Sequence, residues 1–164
     1  MERSAANRID AITPARPAPA PAEPPFYEDY LPYLLARAAH QVAGRFHDSL
    51  RRHDLTMLTW RVLAALSDGR NWTVTQLCAV SLAKQPTVSK LLDRLEQQRL
   101  IIRSEDSGDG RRVLVRITAA GRRKVAPAML EATDYNQSIL AEHPAADLER
   151  LKRLLRELIA RYPT

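Results

Sequence analysis

Eleven basic residues lie between Lys84 and Lys124, and with only five acidic ones among them this stretch carries the whole of the chain's formal charge of +6. Positive charge confined to one segment marks a surface that meets a polyanion, whereas a chain basic throughout gains mainly solubility. The polar side chains interleaved with these cations are of the kinds that read nucleic acid. Gln85, Thr87 and Ser89 offer amide and hydroxyl groups for base edges, and Lys84, Lys90 and Arg94 offer charge for phosphates.

Other chemistries find little support. The chain has no Gly-rich phosphate loop, nucleophile elbow or paired-histidine motif, so neither an enzyme nor a cofactor is expected. His40, His47, His53 and His143 have no metal-ligand spacing. The single cysteine, Cys78, excludes an internal disulfide and a Cys-x-x-Cys site, which suits a reducing cytoplasm. A secretory apolar core is missing from the N-terminus, and no apolar run approaches the ~20 residues that cross a bilayer. The expected setting is cytoplasmic and nucleoid-associated, with no membrane partner.

The elements that must position the basic segment can be read from periodicity and capping. Residues 1–25, rich in proline and alanine, read as a flexible arm. Leu31, Leu35, Ala38, Val42, Phe46 and Leu50 recur at helical spacing, predicting a helix to about Arg52. Thr56 is placed to cap a second helix ending near Leu66, before Asp68-Gly69. Asn71 and Trp72 form a short strand, and Thr73 with Gln76 forms a capping-box pattern that opens a third helix through Val80. The joint Ser81 to Lys84 leads into a fourth helix, with proline near its start at Pro86. Val88, Leu91, Leu92 and Leu95 form one face of that helix, while Thr87, Lys90 and Arg94 project from the other.

The period then changes. Residues 100–103 and 113–117 read as strands around the polar turn 106–110, a hairpin with arginines at its base. Thr118 caps a helix over 119–141 with a bend expected at Pro127, and a last amphipathic helix follows His143-Pro144. Two short helices, a tight joint and a hairpin, in that order, make a winged helix-turn-helix. The expected fold is mainly α with a small β-wing: a DNA-binding lobe over 55–118, flanked by an N-terminal dimerisation helix over 26–54 and C-terminal dimerisation helices over 119–164. The only phenylalanines, Phe26 and Phe46, point to an aliphatic core, and the apolar stripes at both chain ends exceed what one small lobe must cover, which predicts a homodimer.

On these residues the chain resembles the MarR family of bacterial regulators. The resemblance is carried by LTMLTWRVLAALSDG (55–69), TVTQL (73–77), KQPTVSKLLDRLEQQRLIIR (84–103) and DGRRVLVRITAAGRR (109–123). It implies a sequence-specific transcriptional regulator, a repressor in the usual case, bound as a homodimer to a near-palindromic operator on double-stranded DNA. The family's wing motif falls on Asp109 and Arg111 and is followed by Thr118 to Gly121. It implies that Arg111 enters the minor groove, steadied by Asp109, with Arg112 beside it. Proteins of this kind release DNA on binding a small molecule, often an aromatic acid. His40, Trp60 and Arg61, an imidazole, an indole and a guanidinium on the first two helices, are the candidates to hold such a planar anion. Two other readings stand beside this one: a redox-responsive regulator using Cys78, and an architectural DNA-binding protein without an effector.

Overall fold

The computed structural model describes residues 25–105 and 113–162. The arm before Pro25 and the wing-tip residues Asp109, Arg111 and Arg112 therefore lie outside the described residues. The chain divides into two units, 1–38 and 39–164. In the first, a one-turn helix α1 (Phe26–Asp29) precedes the start of α2 (Leu31–Arg52). The sequence reading did not anticipate α1. Here Phe26 stacks on Tyr30 at 5.1 Å, Tyr27 meets Tyr33 edge-on at 5.5 Å, and the Arg37 guanidinium lies 6.0 Å from the Tyr33 ring centre.

The second unit contains the rest of α2, then α3 (Met57–Leu66), β1 (Trp72–Thr73), α4 (Val74–Ser81), α5 (Gln85–Gln97), β2 (Ile101–Glu105), β3 (Val113–Ile117), α6 (Ala119–Ala141) and α7 (Ala145–Arg161). It is a mainly α fold with a small antiparallel sheet. The helices begin where the capping residues predict. Thr56 accepts from the Thr59 amide at 3.1 Å. Thr73 and Gln76 form the reciprocal box, with Gln76 N donating to Thr73 Oγ1 at 3.2 Å and Thr73 N to Gln76 Oε1 at 2.9 Å. These bonds satisfy backbone donors that have no partner inside a helix.

The short strand is Trp72–Thr73 rather than 71–72, β2 runs on to Glu105, and two further boundaries differ for backbone reasons. Ser81 remains helical, and Leu82 closes α4 in the left-handed region at φ 55°. Leu100 stands outside the strand because Arg99, at φ 58°, turns the chain before it, and the Leu100 carbonyl accepts from Thr118 N at 3.0 Å. The sheet order is β1-β3-β2, with Trp72 opposite Val115 and Ile101 opposite Ile117. The hairpin thus gains a third strand through a pairing distant in sequence.

The buried core is aliphatic: Val62, Leu63, Leu66, Leu77, Val88, Leu92, Leu95, Val115 and Val125 are almost fully excluded from solvent. Thr118 and Gly121 join α6 to it. The Thr118 hydroxyl accepts from Gly121 N at 3.0 Å and donates to the Arg99 carbonyl at 2.8 Å. A Cβ on Gly121 would collide with the Leu100 carbonyl oxygen, a backbone atom with no rotamer to change. Helix α6 continues through Pro127, which cannot donate to the preceding turn. Replacing Gly121 by alanine is expected to lower stability by about 1–3 kcal/mol, the usual cost of overpacking; thermal unfolding that matches the wild type would show that α6 can move off Leu100.

Candidate nucleic-acid interface

Helix α5 anchors through one face and leaves the other open. Val88, Leu91, Leu92 and Leu95 are buried, whereas Lys84, Gln85, Thr87, Lys90 and Arg94 are exposed and Ser89 is half-buried. Lys84 is the N-cap and makes no side-chain capping bond, Pro86 lies in the first turn, and that turn contains no acidic residue. The positive end of the helix dipole stands beside a lysine, an arrangement that attracts an anion. A notch of about 530 Å³ separates α4 from the start of α5, lined by Thr75, Cys78, Ala79, Leu82, Ala83, Lys84 and Gln85. Cys78 is half-buried, packed on the core on one side and facing this notch on the other.

The three residues singled out for an effector are not brought together. His40 is exposed on α2, and Arg61 donates from Nη1 to the Ser81 carbonyl at 3.1 Å, tying α3 to the end of α4. Trp60 reaches a cavity. It lines an apolar cleft of about 300 Å³ with Ala39, Val42, Ala43, Phe46, Ala132, Tyr135, Asn136 and Ile139, and meets Phe46 edge-on at 5.0 Å. Tyr135 Oη donates to the Val42 carbonyl at 2.7 Å across this cleft.

Beside it lies a polar cleft of about 320 Å³ that shares Phe46 and Tyr135 and adds Ser49, Arg52, Glu131 and Asp134. Glu131 is its hub, accepting from Ser49 Oγ, from Arg52 Nη2 at 2.9 Å and bonding His53 Nε2 at 2.8 Å. The Ser49 hydroxyl foremost, then His53 and the Arg52 charge, hold its carboxyl down from 4.5 to about 2.

A solved MarR family transcriptional regulator from Silicibacter pomeroyi DSS-3 superposes on this chain with a TM-score of 0.73 and 32% identity, covering 82% of this chain and 96% of that one. The MarR family model matches residues 53–112. The chain belongs to the MarR family.

Among curated MarR relatives, the transcriptional repressor IacR of Pseudomonas putida is 27% identical over 156 residues, 93% of each chain. The homoprotocatechuate degradative operon repressor of Escherichia coli is 25% identical over 132 residues, 80% of this chain and 89% of that one. The MarR match takes in the helix-turn-helix and β2 and stops before β3; of the Glu131 cluster it includes only His53, and sequence reasoning missed that cluster. Ser49, Arg52 and His53 stand 78 to 82 positions from Glu131, and no local pattern joins them to it.

Glu131 generates a pH prediction. A carboxyl with a lowered folded pKa adds stability that is present above about 4.5 and is lost as pH falls toward about 2. The melting temperature of the wild type should therefore fall more steeply over that range than that of Glu131→Gln. Parallel curves would show that the cluster contributes nothing to acid sensitivity.

Proposed function

We propose that this protein is a homodimeric transcriptional repressor that reads a near-palindromic operator and releases it on binding a small aromatic acid. The observation that carries the DNA reading is α5: buried along one face, exposing Lys84, Lys90 and Arg94 on another, and followed at once by the wing hairpin. In this reading Gln85, Thr87 and Ser89 meet base edges, and Asp109, Arg111 and Arg112 serve the wing tip. Two helices supply the faces for a second copy. Leu31, Leu34 and Leu35 are exposed near the start of α2, and Leu151, Leu154 and Ile159 along α7; apolar stripes of this kind call for a partner. A two-fold dimer would place its α5 helices in successive major grooves about one helical turn apart.

The effector reading draws support from the aromatic cleft, whose Phe46 and Trp60 walls suit a planar ring. It also draws on the relative whose name ties it to the degradation of homoprotocatechuate, an aromatic acid. His40 and Arg61 do not line this cleft; the adjoining polar cleft offers the cation of Arg52, for which an acid ligand would compete with Glu131.

Two experiments test these readings. Selection from a randomised duplex library with the full chain should enrich one inverted repeat, bound with an affinity that falls by on the order of a hundredfold or more between 50 and 200 mM salt. Arg111→Ala should weaken that binding without shifting the melting temperature; a flat salt response, or a chain that sediments only as a monomer, would refute the proposal. Thermal-shift screening should find an aromatic acid, homoprotocatechuate being the first to try, that stabilises the protein by about 2–3 kcal/mol at a hundredfold excess over Kd. That stabilisation should disappear in Trp60→Ala, and retention of the full shift would place the ligand elsewhere.

A further inference from the structure

One side chain fastens the base of the wing to α5. Arg103, paired with Val115 inside the hairpin, turns its guanidinium onto the helix. Its Nη1 lies 2.8 Å from Asp93 Oδ1, its Nη2 donates to the Ser89 carbonyl at 3.4 Å, and its Nε stands 3.8 Å from Glu96 Oε2. Its own backbone N–H donates to Glu96 Oε1 at 3.2 Å. Nε is closed off from solvent and has no hydrogen-bond partner among the described residues, so the side chain is held by its two ends rather than by ideal bonding at every donor.

Ser89, Asp93 and Glu96 are four and three residues apart, so they form one stripe along α5. That stripe adjoins the buried face of Val88, Leu91, Leu92 and Leu95. Aliphatic packing is non-directional and holds the helix in place without strongly fixing its rotation about its own axis. A guanidinium is rigid, planar and directional. Reaching one stripe over two turns from a strand, it fixes that rotation and ties it to the wing.

We infer that Arg103 is a positioning residue for DNA reading: it sets the rotation of α5 against the hairpin strands so that the base-facing side chains of the helix meet the duplex in one register. This rests on the DNA-reading function proposed above. Two other roles fit less well. Arg103 faces two carboxylates and its side chain is only 25% exposed, so it adds little to the attraction of phosphates. The carboxylates it pairs with are 57% and 43% exposed, so these ion pairs also contribute little to stability.

The test uses the full chain and the duplex that the wild type enriches from a randomised library, with a scrambled duplex of equal length as reference. Arg103→Met retains the stem and removes the fork. It should lower the preference for the enriched duplex on the order of tenfold, the effect of one misaligned base contact, with affinity for the scrambled duplex and the salt slope unchanged. Arg103→Lys, a point charge without the fork, should recover only part of that preference. A wild-type preference in Arg103→Met overturns the inference. So does an equal loss on both duplexes with a salt slope smaller by about one, which marks a phosphate contact. If Arg103→Met does not fold, Asp93→Asn combined with Glu96→Gln keeps the arginine and is judged by the same preference ratio. A wild type that enriches no duplex overturns the DNA-reading function itself, whereas a wild type whose preference the variants share overturns only the role of Arg103.

Discussion

Helix α5 must be two things at once, a core element and, in the proposed function, a reader, and the division of its circumference makes that possible. Val88 and Leu92 are fully buried, with Leu91 and Leu95 at 4% and 1% exposure. Burial of each such side chain is worth roughly 1.5–3 kcal/mol, against about 0–1 for an exposed ion pair. The aliphatic face therefore holds the helix, and the cationic face is free of structural duty. A helix held mainly by its cations would loosen with every change of salt; this one does not depend on them for its place.

The same economy runs through the connections. Thr118 caps α6 and binds the Arg99 carbonyl in the turn before β2, so one hydroxyl links helix, turn and sheet. Arg61 spends its guanidinium on the Ser81 carbonyl, which bonds α3 to the last turn of α4. Glu131 draws three side chains from the end of α2 onto the middle of α6. Each of these polar ties reaches the end of a helix.

What could be read from the amino-acid order was local. Thr56, Thr73 with Gln76, and Thr118 fix helix starts because a cap and its donor are three residues apart, and all three bonds form. The apolar spacing of α5 foretold which side would be buried for the same reason. What could not be read was distant. The pairing of Trp72 with Val115, the bonds to Glu131 and the approach of Gly121 to Leu100 join positions that no short window contains. The effector candidates show the limit well. The cleft is lined by Ala39, Val42, Ala43 and Phe46, the apolar stripe of α2, while His40 lies off that stripe, and Arg61, one residue after Trp60, points a different way around α3.

Leu82 closes α4 with a left-handed backbone, and 77% of its surface is open to solvent. Glycine would adopt that conformation more cheaply but would leave the joint between the two short helices loose. A leucine there costs about 1–2 kcal/mol of local strain, present whether or not anything is bound, so it cancels from any affinity. The stiffness does not cancel. With the angle between α4 and α5 already set, less freedom is lost on docking, and the joint acts as a preorganised elbow that favours whatever duplex fits it without bending.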